Sequence, residues 1–422
     1  MKKFFTKTPA FLFVMLFSVL AAYQGHQASL RLAHLAHIYR GALLSAMQQM
    51  ESMQILMQKA LVSAADEEKN YLHQIAEEAG QVQRSLALLP LSHPDTMRAM
   101  KLTNQLEDYS TQLMEKEGLS ESDAGQLAAL TETCKSYAQL LYDRQDALLS
   151  AMPETVFYPA EAAGTVDGDI HYPTLIYDGP FSDARRQKPI PFAGEKEITW
   201  EEAARIARQF LGAADGDVRP GADILGPVPC HGVTLIRPGI TLDAAVSKTG
   251  GKVMWISCSR GDFASLLSPE TCEENARRFL QAQGFENMEV TAFQVYQGVI
   301  VFSFAPRQGQ VLLYPDLVKI QLRMDTGEVI GLEATAYWQN HSPRGLMQPA
   351  LSAQEAAAHI NSRLERQAHQ LCLIPLDDQE ILCWEFDCAY QDMEFLVYIN
   401  AQNGRQEELL QKVETNIGPE TV

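Results

Sequence analysis

The sequence predicts an α+β protein built in series: an N-terminal membrane anchor, an antiparallel helical bundle or coiled coil, then three tandem helix-plus-antiparallel-sheet domains. Three observations carry this. The N-terminus is basic and then continuously apolar; apolar residues from Leu32 onward step by four and three in alternation; and the second half repeats a capped helix followed by strands and a glycine-closed turn.

Bulk properties set the limits. At 422 residues the chain can bury several cores. With 46% hydrophobic and 21% charged residues it is not extensively disordered. A formal charge of −19 argues against nucleic acid as a partner, because phosphate binding needs a surplus of Lys and Arg to release counterions. The cysteines, Cys134, Cys230, Cys258, Cys272, Cys372, Cys383 and Cys388, are odd in number and scattered. They form neither a disulfide framework nor a Cys-x-x-Cys pair.

The first element is "MKKFFTKTPAFLFVMLFSVLAAYQG", with Lys2, Lys3 and Lys7 ahead of an apolar run over residues 9–23. A basic flank before an apolar core is an export segment, either cleaved or retained. The run is short for a span of roughly 20 residues, but counting from Phe4 with Lys7 snorkelling makes one feasible. Val19 and Ala21 suit a signal peptidase, whereas the helix that follows without a polar break suits an anchor. Residues 1–25 are therefore assigned as membrane anchor or signal segment, with everything beyond them expected outside the cytoplasm.

Residues 26–152 are expected to form the helical domain. Leu32, Ala36, Tyr39, Leu43, Ala46, Met50, Met53, Met57 and Ala60 lie on one seam. A second seam, Leu102, Leu106, Tyr109 and Leu113, follows Pro94, a good first-turn residue. A third, Leu127, Leu130, Cys134, Tyr137, Leu141 and Leu148, follows a capping box of Ser120 and Asp123. Three or more such helices with short breaks read as a bundle, and the seam also offers a surface for self-association. His34 and His37 stand three apart, but without a third ligand they read as a solvated face rather than a metal site.

Residues 153–195 should be bland linker and are not. "YPTLIYDGPFSDARRQKP" interleaves Tyr172, Ile176, Tyr177 and Phe181 with Asp178, Gly179 and prolines. Such residues bury within their own chain. The stretch is expected to lie extended against the first repeat, with a turn at 178–180, as a packed clasp and in part a partner surface.

The repeats follow at 196–264, 265–342 and 349–416. Their helices open at Thr199, Ser268 and Ser352, spaced by 69 and 84 residues, and Glu202 and Glu355 complete capping boxes. Stripes of Ala203/Ala207/Leu211, Cys272/Ala276/Leu280 and Ala356/Ile360/Leu364 should face a sheet. Gly-closed hairpin turns are expected at 247–251, 325–327 and 400–404.

Catalytic motifs are sparse. "SDA" at 182–184 and "KTG" at 248–250 lack any Ser-x-x-Lys nucleophile, and "KTG" falls in a hairpin turn. The Asp-Gly-Asp triplets at 167–169 and 215–217 do not continue into a calcium loop. His369, Cys372, Cys383 and Cys388 have no zinc-finger spacing, and Cys383 and Cys388 differ in strand parity. No catalytic, cofactor-binding or metal residue is assigned.

The repeats resemble PepSY domains, through the "EEA…A…L" helix and the strand–"D-x-x-T-G"–strand hairpin. "YPTLIYDGPFSD" resembles the signature of the YpeB family of spore-germination proteins, and anchor, helices, signature and repeats stand in that family's order. The family often carries His after Ser-Asp, where this chain has Ala184. The resemblance implies a non-enzymatic accessory protein for degrading spore cortex peptidoglycan. It also implies a SleB-like cortex-lytic enzyme as partner, each depending on the other for its presence, and a location at the spore inner membrane facing the cortex. PepSY modules are associated with holding enzymes inactive. Two other readings stay open: a membrane-tethered protease inhibitor or sensor unrelated to spores, and a peptidoglycan hydrolase.

Overall fold

A computed structural model describes residues 8–89, 93–150, 181, 192, 194–212, 217–258, 263–345, 348–376, 379–415 and 418–421. The chain divides into two compact units, Met1–Val166 and Asp167–Val422.

The first unit contains α1 (Thr8–Val62), α2 (Ala65–Leu88), α3 (His93–Met114) and α4 (Glu121–Ser150). The alternating seam turns inward: Leu43, Ala46, Met50, Met53, Met57 and Ala60 are all buried. Each large side chain so placed contributes roughly 1.5–3 kcal/mol. From Leu43 onward the seam is used in the unit's own packing. Cys134 Sγ on α4 lies 3.5 Å from the Met50 carbonyl of α1, and the Tyr142 hydroxyl donates to Glu51 at 2.6 Å.

Helix α2 had not been distinguished in the sequence. Its first turn carries Asp66, Glu67 and Glu68, which favour a helix N-terminus through the macrodipole. Glu68 also accepts the Leu119 amide at 3.2 Å, holding the α3–α4 loop. The capping box forms as expected, with the Asp123 amide donating to Ser120 Oγ and the Ser120 amide to Asp123 Oδ2, both at 3.2 Å. Among the described residues no helix is long and apolar enough to cross a membrane. The side chains of the apolar run, up to residue 22, lie outside the description.

In the second unit, the first repeat comprises α5 (Trp200–Phe210), β1 (Asp217–Pro220), β2 (Cys230–Arg237), β3 (Ile240–Ser247) and β4 (Val253–Cys258). The second comprises α6 (Pro269–Ala282), β5 (Met288–Tyr296), β6 (Val299–Gln308), β7 (Val311–Leu313), β8 (Val318–Arg323) and β9 (Val329–Glu333). A short α7 (Thr335–Asn340) leads to the third repeat: α8 (Ala353–Ala357), β10 (Glu365–Leu376), β11 (Gln379–Tyr390), β12 (Met393–Asn400), β13 (Gln406–Thr415) and β14 (Gly418–Thr421).

The first two repeats are not separate small domains. Their last strands pair with each other, Trp255 opposite Glu333 and Ile256 opposite Leu332. The resulting strand order is β1-β2-β3-β4-β9-β8-β6, with β5 on the far side of β6. This order reads the same from either end once β7 is set aside, an internal pseudo-two-fold of the kind an isologous dimer makes. Helices α5 and α6 share one core with both halves of the sheet, and the Phe210 and Phe279 rings meet edge-on at 5.4 Å.

The stripes fall largely as expected. Ala203, Ala207, Cys272, Ala276, Leu280, Ala356, Ile360 and Leu364 are buried. Leu211 is only half-buried: α5 ends at Phe210, which takes the inward place. The hairpins carry left-handed glycines, Gly327 at φ 73° and Gly404 at φ 78° among them.

The third helix is much shorter than its sequence stripe suggests. After Ala357 the chain turns, and Asn361 Oδ1 accepts the Arg363 amide at 3.0 Å. That local bond competes with helical hydrogen bonding, and β10 begins four residues beyond Asn361, at Glu365. The third repeat joins the rest through β7, which pairs parallel with β10.

Candidate functional site

Of the residues singled out in the linker, Tyr172, Ile176, Tyr177, Asp178 and Gly179 lie outside the described residues, as does the turn expected at 178–180. Phe181 is described, and it does not sit on the first repeat. Its ring stands edge-on 5.2 Å from Tyr314, in the single 3-10 turn between β7 and β8, and 5.0 Å from Tyr398 on β12. These aromatic contacts belong to the junction of the second and third repeats. Phe181 has φ 59°, a left-handed backbone that is costly for a bulky side chain. Two edge-to-face ring contacts are what oppose that cost.

Beneath Phe181 lies an apolar slot of Ala305, Leu312, Cys372, Ile374, Cys383 and Leu396. A chain of polar groups runs through it. Glu385 on β11 accepts from the Tyr314 hydroxyl at 2.6 Å and from Gln370 Nε2 at 2.7 Å. Gln370 Oε1 accepts from Arg307 at 2.9 Å, and Arg307 grips Glu289 with two bonds of 2.6 and 2.5 Å. Burial pushes the Glu385 carboxyl up, against the hydrogen bonds that favour its ionised form. Burial beside that carboxylate holds the Tyr314 and Tyr398 hydroxyls well above the ordinary phenol range.

A second cluster closes the same junction. Asp316 is fully buried and takes a bidentate grip from Arg344, at 2.6 and 2.8 Å, plus His341 Nδ1 at 2.8 Å. Arg344 also reaches Glu380, at 2.8 and 3.1 Å. Burial opposes the Arg344 charge, but the bonds to Asp316 and Glu380 outweigh it and raise its pKa.

Phe192 packs elsewhere, in a cluster with Ile224, Val228, Cys230, Ala245, Met254 and Trp255 of the first repeat. Phe181 and Phe192 are eleven residues apart, a reach of at most about 40 Å. The linker is thus attached at the junction of the second and third repeats by Phe181 and to the first repeat by Phe192, and is called the strap for these two attachments.

The other sequence candidates are structural or isolated. His34 and His37 are exposed. Lys248 pairs with Asp223 at 2.6 Å within the repeat's hairpin region, and Asp217 pairs with Arg219. The residues at 167–169 and 182–184 lie outside the description. His369 packs against Trp384 and Phe386, with ring centroids 5.9 Å away. Among the described residues no three His, Cys, Asp or Glu side chains gather as a metal site. Sequence reading missed Tyr314, Asp316, Arg344, Glu385 and Tyr398. One signal was available: Glu385 shares strand parity with inward-facing Cys383, so it had to face the core.

Comparison with known proteins matches both halves of the chain. A YpeB N-terminal family model covers residues 28–152, and a model of YpeB sporulation, PepSY1 and PepSY2 domains covers residues 165–347. The sporulation protein YpeB of Halalkalibacterium halodurans is 30% identical over 225 residues, covering 51% of this chain and 49% of the relative. That of Bacillus subtilis is 27% identical over 240 residues, covering 54% and 52% respectively. The chain thus spans about half the length of these relatives, 49% and 52%. The solved Bacillus megaterium YpeB C-terminal domain is 24% identical, over 51% of this chain and 98% of that one, with a TM-score of 0.48. With the family's N-terminal region on the helical unit and its PepSY domains on the paired repeats, the chain belongs to the YpeB family of sporulation proteins.

Proposed function

We propose that this chain is a non-enzymatic accessory protein of spore germination, a scaffold tethered at the spore inner membrane that stabilises and restrains a SleB-like cortex-lytic hydrolase. The observation that carries the reading is the pair of YpeB family matches on both units. The site chemistry is in keeping with it. Glu385 and Asp316 are committed to internal partners, so the junction is built to hold strands together rather than to turn over a substrate. A restraining scaffold must bind its hydrolase more tightly in the dormant state, since only differential affinity shifts an equilibrium. The same binding protects the hydrolase from degradation by mass action.

Deleting the gene is expected to lower the level of the cognate lytic enzyme in dormant spores, read by immunoblot, and to stall germination with the cortex intact. Removing residues 196–422 while keeping the helical region should reproduce most of the defect. Normal enzyme levels and normal cortex breakdown in both strains would exclude the accessory role. Release of reducing sugar from cortex fragments by the purified full chain would make it a hydrolase instead.

A further inference from the structure

Cys372 and Cys383 stand directly opposite one another in the β10–β11 ladder. Both side chains enter the slot beneath Phe181, so they share a face. Opposed residues of an antiparallel pair have Cα atoms about 4.5–5.5 Å apart, inside the roughly 4.4–6.8 Å that a disulfide spans. Cys372 Sγ already lies 3.5 Å from the Cys383 carbonyl oxygen. Both are free thiols with no exposed surface. Cys388 stands opposite Phe395 on one side and Arg366 on the other, so it has no such counterpart.

We propose that Cys372 and Cys383 are an oxidation site, which exchange with a small disulfide such as oxidised glutathione converts into a cross-strand disulfide. One cysteine, as its thiolate, attacks the small disulfide, forms a mixed disulfide and releases one reduced thiol. The second cysteine loses its proton to solvent, attacks the sulfur of the first, and releases the other. Two protein thiols are oxidised and one small disulfide is reduced to two thiols. The new bond pins together the strands that carry Gln370 and Glu385. Burial keeps both thiols protonated at neutral pH, so exchange proceeds only while the slot is open.

The test uses the full chain in detergent, reduced and then held with oxidised glutathione at mildly alkaline pH, with and without sub-denaturing urea to open the slot. Remaining thiols are alkylated after denaturation, and cleavage before Asp377 separates the two strands for mass spectrometry. The expected product is a Cys372–Cys383 linked peptide pair lighter by two hydrogens, about 2 Da, with two fewer alkylated thiols per chain. Cys372→Ala and Cys383→Ala should each abolish the link, while Cys388→Ala keeps it. A pair still reduced under both conditions, a glutathione adduct that never resolves, or a link to another cysteine would overturn the proposal. The wild-type peptide map decides this even if an alanine variant fails to fold.

Discussion

Asp316 has no exposed surface, yet two side chains, the Arg344 guanidinium and the His341 ring, meet it. Removing one partner of a buried pair leaves an uncompensated charge, which costs about 3–5 kcal/mol. Arg344→Met should lower the denaturant midpoint of the second unit accordingly, and Asp316→Leu added to it should recover part of the loss. Glu385 behaves differently. Its folded pKa is raised above the ordinary 4.5, so the folded state binds its proton more readily than the unfolded chain. This group therefore adds stability as pH falls from its folded pKa toward 4.5. Urea melts of wild type and Glu385→Gln should show the wild type gaining on the variant across that interval; parallel curves would exclude the effect. Glu385 was legible in principle, from its parity with Cys383. Asp316 and Arg344 were not, because they are 28 residues apart and nothing in their spacing marks them as a pair.

At the scale of elements, what the sequence made plain was local. The boxes at Thr199 and Ser352 form, because a cap and its acceptor lie three residues apart and need no tertiary help. The third helix misled, since Ala356, Ile360 and Leu364 keep helical spacing and are all buried. They achieve that burial from a short helix, a turn and a strand lead-in, which a periodicity cannot distinguish. The strap was recognisable as packed from its aromatic content, but its destination was not, because Tyr314 and Tyr398 lie more than a hundred residues downstream. Phe181→Ala should destabilise the third repeat by about 2–3 kcal/mol, the range for losing a partly enclosed ring and its aromatic contacts. Hydrogen exchange at β10–β12 should quicken with it. Unchanged protection there would mean that the strap contributes nothing.

For the whole molecule, the repeat spacing announced three copies, but not how copies pair. The pairing of β4 with β9 depends on two apolar strands finding each other across seventy-odd residues, and alternation within each strand names no partner. The consequence is cooperative: α5 and α6 complete one core, so the first repeat has no finished interior of its own. In a chain ending at residue 262 the helical unit's transition should be the only cooperative one seen by circular dichroism on heating, whereas a chain ending at residue 345 should show a second, from the paired repeats. A second transition in both chains would show that the first repeat folds alone.

The strap's two attachments have a mechanical corollary. Tension transmitted along the chain from the helical unit reaches Phe181 before it reaches any strand of the sheet. That ring is held by two aromatic contacts and apolar packing against a strained left-handed backbone, whereas the strands after it are held by long ladders of backbone hydrogen bonds. Losing the Phe181 contacts breaks no ladder bond, so the chain's first described hold on the second unit can loosen while the β-sheet stays whole.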